Sequence, residues 1–212
     1  MTNINQTIWK LIAQDVSIDK ALRRDLVNMR ALAVYLIKKH HLSASVDAVI
    51  SAIRRYPMEG VIADQETKLL SIFKNSVVFT KSNMVCMTLE ADAVKDLVAN
   101  FGQQGVKKNF RIIRGKKYTK VIINDVDLDA FMKYFKKADI VDVRKGLGEV
   151  RIVLQKGAEN MRGIIAKVTG EIALQEISII EMIFCFPELL VYVDQKDLLH
   201  AHQAVLNVQE GH

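Results

Sequence analysis

Apolar residues in the first quarter of the chain recur at intervals of three and four positions, which is the spacing of an amphipathic helix. Ile8, Leu11 and Ile12 begin this pattern, and similar stripes follow as far as Pro57. Because such spacing gathers the apolar side chains on one helix face, we predict three or four short helices over residues 4–56. Their very short connections favour a helix-turn-helix or a compact helical cap.

Beyond the helical region the pattern changes to short apolar runs, typical of strands, that are separated by helix-like stretches. Residues 84–143 predict the order strand, helix, strand, strand, helix, strand, and residues 148–207 predict the same order without its last strand. We therefore predict an α+β fold. A small N-terminal helical, helix-turn-helix-like domain (1–60) is followed by tandem ferredoxin-like βαββαβ units (65–145 and 146–212).

Several details of these units follow from local signals. In the first unit we place two separate strands at residues 76–80 and 84–89, divided by the turn residues 81–83. A helix is predicted over residues 91–100 and a hairpin over residues 110–123. The second unit lacks a fourth strand, which would leave an edge of its sheet unpaired. Pairing between the two units, or between two chains, would remove that edge.

Motifs in the last third add a family resemblance. The last third contains a polar elbow (155–163) that ends in the motif 160–163 (Asn-Met-Arg-Gly). This motif, the runs 177–182 and 190–194 and the final helix-like stretch 197–206 resemble an ACT domain, the small-molecule sensing module attached to enzymes and regulators of amino-acid metabolism. The middle of the chain is similar to a degenerate second copy of this ACT-like domain. The whole arrangement resembles archaeal regulators of amino-acid metabolism that contain ACT domains.

The resemblance implies a site for an amino-acid effector at the elbow and on the strand that follows it. Its candidate ligand-binding residues are Asn160, Met161, Arg162, Gly163, Ser178 and Ile179. A guanidinium can pair with a carboxylate, an amide can accept from an ammonium group, and a glycine lets backbone approach a ligand. The structural alternative is that Asn160 caps the next helix, Gly163 permits close packing and Arg162 points into solvent. Residues 90–93, the corresponding elbow of the first unit, lack a glycine, and no ligand is expected there.

Basic residues are concentrated outside the last third. The net charge of the chain is +6, but residues 146–212 contain more Asp and Glu than Lys and Arg. This asymmetry suggests DNA or another polyanion as a partner of the basic part. The candidate nucleic-acid contacts are Arg23, Arg24, Arg30, Lys38, Lys39, Arg54 and Arg55 in the helical domain, and Lys116 and Lys117 in the hairpin. Residues 45–55 are the best recognition-helix candidate, although their polar face offers little base readout. The structural alternatives are a helical cap and a solvated hairpin.

The sequence contains none of the residue sets that catalysis or metal binding requires. We find no Ser/His/Asp set, no phosphate loop and no paired Cys ligands, so we predict a protein that is not an enzyme and uses no metal or cofactor. Cys86 and Cys185 lie in apolar runs and are expected to be buried thiols. Carboxylates interrupt the longest apolar region, and the N-terminus lacks the features of a secretion signal, so a cytoplasmic location is expected.

Together these features predict an amino-acid-responsive transcriptional regulator. The helical domain would bind DNA, and the ACT-like units would sense an amino acid and form a homodimer. Two alternatives stay open. One is a non-catalytic allosteric or scaffolding subunit that docks on a metabolic enzyme. The other is an RNA-binding protein that uses the basic hairpin of residues 106–120.

Overall fold

The structure, a computed structural model, describes residues 4–57, 61–94 and 110–210. The chain divides into two compact units, Met1–Val61 and Ile62–His212. Of the helix predicted over residues 91–100, the structure describes a 3₁₀ turn at Ala91–Val94. The rest of that predicted helix, and residues 106–109 of the basic hairpin, lie outside the described residues.

The described residues of the first unit form helices α1 (Ile4–Gln14), α2 (Val16–Arg23), α3 (Met29–His40) and α4 (Val46–Arg54). The side chains of Asp15, Asn28 and Ser45 accept hydrogen bonds from backbone N–H groups in the first turns of α2, α3 and α4. These caps satisfy donors that a helix cannot pair internally. The prediction of short helices over residues 4–56 is confirmed.

Helix α4 is the central element of the first unit, because it packs against both α1 and α3. Val49 and Ile53 of α4 are fully buried and share one apolar core with Ile8 of α1. The indole Nε1 of Trp9 donates a hydrogen bond to the carbonyl of Ala52 at 2.9 Å, which links α1 to α4. Most of α4 is therefore used for packing, and its exposed positions lie at its two ends.

Helix α5 (Val61–Lys74) leads into the second unit, which is built on one antiparallel sheet. The described strands are β1 (Val77–Glu90), β2 (Arg111–Arg114), β3 (Tyr118–Asn124), β4 (Ile140–Val153), β5 (Glu181–Cys185) and β6 (Glu188–Asp194). They lie in the order β2-β3-β1-β4-β6-β5. The remaining α-helices of the described segments are α6 (Leu128–Met132), α7 (Ile164–Leu174) and α8 (Leu198–Glu210). The α+β class and the β2–β3 hairpin are therefore confirmed.

Two long strands, β1 and β4, pair with each other at the centre of the sheet. We expected a break at residues 81–83, but β1 continues through them with an irregular register, and Asn83 adopts a left-handed φ of 56°. In β4 the corresponding irregularity lies near Gly146, whose φ is 68°. The expectation of separate strands was wrong, because an extra residue in one strand of a pair bends that strand without ending it.

The N-terminal part of β1 supplies the strand that the second predicted unit lacked. Residues 77–81 pair with residues 149–153 of β4, and the other edge of this β4 segment pairs with β6. Of the two ways in which the edge could be paired, the structure shows pairing between the two predicted units. A segment from the start of the first predicted unit thus completes the sheet of the second.

One face of the sheet, the helical face, packs against helices. Val150 and Val191 share a core with Phe73 of α5, Val168 of α7 and Ala201 of α8. A second core on this face joins β1 and β3 to α6. The helical face therefore holds most of the apolar side chains of the unit.

The opposite face is concave. Lys120 of β3 forms an ion pair with Glu181 of β5, although β1, β4 and β6 lie between these two strands. In a flat sheet their backbones would lie about 19 Å apart, which is four strand spacings of about 4.8 Å. The sheet therefore curls enough for side chains of β3 and β5 to meet across this face, and a core that includes Ile122, Leu147 and Leu190 lies on the same concave face.

Candidate functional site

The elbow singled out in the sequence connects β4 to α7. Ala158 anchors it, since this residue is 1% exposed and lies in the core of the helical face. The backbone N–H of Gly157 donates to Glu159 Oε2 at 2.7 Å, which tightens the turn. Gly163 stands immediately before α7 with a φ of 93°, a conformation that favours glycine. The backbone alone thus explains why glycine occupies this position.

The predicted ligand residues have different environments. Asn160, Arg162, Gly163 and Ser178 are exposed, whereas Met161 and Ile179 are half-buried against the core of the helical face. Ser178 and Ile179 were expected on a strand, but β5 begins at Glu181. The expectation was wrong because the chain uses these residues to cross from the end of α7 to the start of β5.

A cavity of about 380 Å³, the elbow cavity, lies between the elbow and α5. It is lined by Thr67, Lys68, Ser71 and Ile72 of α5 and by Lys156, Gly157 and Met161 of the elbow. The lining combines two ammonium groups and two hydroxyl groups with apolar surface from Ile72 and Met161, and none of these lining residues is acidic. Such a set suits a small molecule with a negative charge beside an apolar part.

Of the predicted ligand residues, Met161 lines the elbow cavity. Sequence reasoning missed Lys156, which lies inside the elbow but outside the family motif, and Lys68, which lies on α5. A Cβ added at Gly163 would lie 3.4 Å from Leu69 Cδ2, so α5 passes close to the elbow. No local pattern in the sequence indicates this approach, because the two segments are far apart along the chain.

A buried carboxylate lies on the concave face. Glu149 of β4 is 3% exposed, and its Oε2 accepts hydrogen bonds from Arg111 Nη1 at 2.7 Å and from Tyr192 Oη at 2.8 Å. Arg111 Nη2 lies 3.4 Å from the other carboxylate oxygen. Burial, followed by the charge and the hydrogen bond of Glu149, raises the pKa of Tyr192 far above its usual value. The phenol therefore stays protonated and acts as a donor.

Alternation along β4 is the sequence signal for this cluster. Glu149 and Arg151 alternate with the apolar Val150 and Ile152, so both charged residues lie on one face of an otherwise apolar strand. Tyr192 lies directly opposite Glu149 in the β4–β6 register. The pattern predicts that charges share a face, but the partner of each charge depends on strand pairing.

The predicted nucleic-acid contacts of the helical unit lie mostly at helix C-termini. Arg23, Lys38, Lys39 and Arg54 lie in last turns, Arg24 and Arg55 are C-cap residues, and Arg30 lies in the first turn of α3. Cations near a helix C-terminus interact favourably with the helix dipole. Arg23 Nε also donates to Asp19 Oδ2 at 2.9 Å, and Lys39 Nζ donates to Tyr35 Oη at 2.7 Å. Arg23 and Lys39 thus each have a structural role in their own helix.

The basic residues of the hairpin are divided between two places. Lys116 and Lys117 lie in the exposed turn between β2 and β3. Arg111 and Lys120 instead pair with carboxylates on the concave face. The hairpin therefore presents its basic residues to two different environments.

The two thiols differ in exposure. Cys86 is buried, and burial raises the pKa of its thiol. Cys185 is exposed, so the expectation of a buried thiol was wrong there. Its strand, β5, lies at the edge of the sheet.

Within the described segments, no cluster of three or more His, Cys, Asp or Glu residues could hold a metal ion. No helix among the described residues has the length and apolar character needed to cross a membrane.

Solved structures with a similar fold include aspartate kinases and a regulatory subunit of aspartate kinase. The aspartate kinase of Clostridium acetobutylicum matches with a TM-score of 0.54 at 15% identity, over 64% of this chain and 34% of that chain. The aspartokinase alpha and beta subunits match with a TM-score of 0.52 at 14% identity, over 64% of this chain and 97% of that chain. The regulatory subunit of aspartate kinase from Thermus flavus matches with a TM-score of 0.53 at 14% identity, over 62% and 95%.

The match thus spans about a third of the length of the Clostridium enzyme. No protein-family model and no curated protein sequence matches the chain. At these identities the likeness to solved structures concerns the fold alone. The second unit has an α+β fold with an antiparallel sheet, and the chain is similar in fold to the aspartokinase subunits and to the Thermus flavus regulatory subunit.

Proposed function

We propose that this protein is a non-catalytic regulatory protein that responds to an amino acid bound between α5 and the elbow. The observation that carries the proposal is the elbow cavity of about 380 Å³, with Lys68 and Lys156 in its lining. This cavity lies beside the elbow at which the ACT resemblance places an effector. The similarity in fold to regulatory subunits of aspartate kinase supports the same function.

The lining of the elbow cavity offers a counterpart for each part of an amino acid. Lys68 and Lys156 stabilise the carboxylate through charge-assisted hydrogen bonds. The hydroxyl groups of Thr67 and Ser71 accept hydrogen bonds from the ligand's ammonium group. The flexible thioether of Met161 packs against the ligand side chain. Further candidate contacts are the other residues expected from the family motif, Asn160, Arg162, Gly163, Ser178 and Ile179.

In this proposal the second compact unit of the structure, Ile62–His212, contains two ACT-like, ferredoxin-like units that share the long strands β1 and β4. The boundaries expected from the sequence, 65–145 and 146–212, separate these units except at residues 77–81. Because that segment pairs with residues 149–153, it belongs to the C-terminal ACT-like unit (146–212). The shared strands couple the two ACT-like units mechanically.

Helix α5 is suited to transmit effector binding. Gln209 Nε2 of α8 donates to the carbonyl of Phe73 at 3.0 Å and to the carbonyl of Ser76 at 2.8 Å. These bonds fasten the junction between α5 and β1 to the last helix. A ligand that binds better to one position of α5 shifts the population toward that position, and β1 carries the change into both halves of the sheet.

Two outputs fit this sensing role about equally. In one, the helical unit binds DNA through exposed cations such as Arg30, Lys38 and Arg54, and the protein regulates transcription. In the other, the protein is a regulatory subunit that docks on a metabolic enzyme. A homodimer formed through the ACT-like units is part of both. A shift of duplex DNA at low salt that depends on the amino acid supports the first output, and co-purification with an enzyme supports the second.

RNA binding by the hairpin is a third output, and it has its own test. Charge reversal at Lys116 and Lys117 abolishes RNA binding if the hairpin turn contacts phosphates. Substitution of Arg54 and Arg55 in the helical unit leaves that binding unchanged. The opposite result assigns nucleic-acid binding to the helices.

A thermal-shift screen of the twenty amino acids tests the sensing function. A ligand that binds only the folded protein raises its melting temperature by mass action. We expect at least one amino acid to raise the melting temperature of the wild type and of the control Lys116→Met, but not that of Lys156→Met. If no amino acid raises the melting temperature of the wild type, the proposed function is wrong.

A further inference from the structure

A second cavity, the concave-face cavity, lies on the side of the sheet opposite the helices. Its volume is about 430 Å³, within the range of small-molecule sites. The residues that line it include Phe79, Lys81, Phe110, Arg111, Glu149 and Arg151. They come from both long strands and from the start of the β2–β3 hairpin, so the curl of the sheet creates this cavity.

Two cations in this lining lack a full set of acceptors. Within the described parts of the chain, the Lys81 ammonium has no hydrogen-bond or ion-pair partner, although Glu149 lies opposite it in the β1–β4 register. Arg151 Nε is buried without a hydrogen-bond partner, and Arg151 Nη1 lies 3.6 Å from Glu188 Oε1. Because buried donors in folded proteins normally have acceptors, Arg151 Nε points to an acceptor from outside the chain. The ammonium of Lys81, which is half-buried, is available to the same acceptor.

Glu149 does not supply that acceptor, because its charge is already compensated. Its Oε2 accepts from both Arg111 and Tyr192, and its other oxygen faces Arg111 Nη2. Arg151 in turn faces Glu188, so two carboxylates stand against three cations, namely Lys81, Arg111 and Arg151. The excess positive charge suits an anionic ligand.

The aromatic ring of Phe79 borders the same cavity. The Arg151 guanidinium carbon lies 4.8 Å from the centroid of the Phe79 ring, and Phe79 is still 45% exposed. The ring of Phe110 instead packs edge to face with Phe131 of the helical-face core, with 5.5 Å between the ring centroids. An exposed ring beside a cationic group can stack against a planar part of a ligand.

We propose that the concave-face cavity binds a small organic anion that carries an aromatic ring. The anionic group, a carboxylate or a phosphate, accepts hydrogen bonds from Lys81 and Arg151, and the ring packs against Phe79. This site shares no lining residue with the elbow cavity. It is therefore a second ligand site, independent of the proposed amino-acid sensing.

Isothermal titration calorimetry of the full chain tests this site with four probes. Phenylpyruvate and adenosine monophosphate combine a carboxylate or a phosphate with an aromatic ring, while pyruvate and inorganic phosphate carry the same anionic groups without a ring. We expect at least one aromatic probe to bind the wild type more tightly than its ring-free counterpart. The same probe binds about tenfold or more weakly to Lys81→Met, since a charge-assisted hydrogen bond is lost. The control Lys116→Met, in the hairpin turn, binds like the wild type.

Two further variants make the outcome decisive. Phe79→Leu weakens binding of the aromatic probe but not of its ring-free counterpart, and Lys156→Met in the elbow cavity leaves both unchanged. Melting temperatures confirm that each variant is folded. The proposal is overturned if neither aromatic probe binds, if each ring-free probe binds as tightly as its aromatic counterpart, or if folded Lys81→Met binds like the wild type. Loss of binding in Lys156→Met would also overturn it, because the probe would then occupy the elbow cavity.

Discussion

Tyr192 Oη donates a hydrogen bond of 2.8 Å to Glu149 Oε2, and this contact joins β6 to β4 on the concave face. Tyr192 is fully buried, so its hydroxyl has no access to water if the carboxylate is lost. A buried polar group without a partner costs about 1–3 kcal/mol. The stability of the concave face therefore depends on this carboxylate and its two donors, Tyr192 and Arg111.

The substitution Tyr192→Phe removes the hydroxyl and keeps the ring. We expect the free energy of unfolding to fall by about 1–2 kcal/mol, because Glu149 loses one of its donors. Urea denaturation followed by far-UV circular dichroism measures this loss. Tyr118→Phe, at the half-buried start of β3, is the control and should change stability by less than about 0.5 kcal/mol. Equal losses in the two variants would contradict the role of the hydrogen bond.

The ion pair between Glu149 and Arg111 should act as a coupled unit. Glu149→Gln and Arg111→Met should each lower the free energy of unfolding by about 2–4 kcal/mol, since each leaves a largely buried partner without its counter-charge. The double variant should lose less than the sum, with a coupling energy of about 1–3 kcal/mol. Denaturation of the wild type and the three variants measures the cycle. Strictly additive losses would show that the two side chains stabilise the sheet independently.

Asp19 gives the helical unit a pH-dependent stability. It is 8% exposed and accepts hydrogen bonds from Arg23 Nε at 2.9 Å and Tyr56 Oη at 2.8 Å. The hydrogen bond from Arg23 holds the pKa of Asp19 below its usual value, although burial acts in the opposite direction. The unfolded state therefore binds more protons as the pH falls through about 4. The stability contributed by Asp19 is complete above that pH and is lost on acidification.

Asp19→Asn tests this dependence. The chain has one tryptophan, and the indole of Trp9 donates to a carbonyl of α4, so its fluorescence reports unfolding of the helical unit. The variant should be less stable than the wild type by about 1–3 kcal/mol at neutral pH, and this difference should shrink as the pH falls below about 4. Asp47→Asn, in the exposed first turn of α4, is the control and should lose no more than about 1 kcal/mol. A difference that grows on acidification would contradict the prediction.

Gly148 permits the close packing of α8 on β4. A Cβ added at this position would lie 2.8 Å from Leu198 Cδ1 and 2.9 Å from Leu198 Cβ. Gly148→Ala should therefore lower the free energy of unfolding by about 1–3 kcal/mol through overpacking. Gly170→Ala is the matched control, since a Cβ there meets nothing within 4 Å and alanine favours the helix. A stability loss in the control as large as that in Gly148→Ala would show that the clash is not the cause.

Local signals in the sequence predicted local structure well. The hairpin follows from alternating residues on either side of Gly115, and the short N-terminal helices follow from apolar spacing and from capping residues such as Ser45. The same local reasoning failed at Asn83, because a turn-forming residue also fits a bend inside a long strand. The pairing of residues 77–81 with residues 149–153 could not be predicted, since it joins segments that are far apart in the chain.

The residues of the candidate site also fall into two groups: those that a local motif predicts and those that the packing of distant segments brings together. Met161 belongs to a contiguous motif that the sequence shows, whereas Lys68 reaches the elbow cavity only because α5 packs beside the elbow. On the concave face, the alternation of Glu149 and Arg151 with apolar residues indicates a charged strand face. The partners of those charges depend on the curl of the sheet, which no local pattern encodes.

Calorimetric titration of the full chain with an amino acid identified in the thermal-shift screen tests the central claim most directly. We expect binding to the wild type and to the control Lys116→Met with the same affinity. Lys68→Met and Lys156→Met should each bind about tenfold or more weakly, because each removes a charge-assisted hydrogen bond to the carboxylate. Unchanged affinity in both lysine variants, or no binding of any amino acid to the wild type, would contradict an effector site between α5 and the elbow.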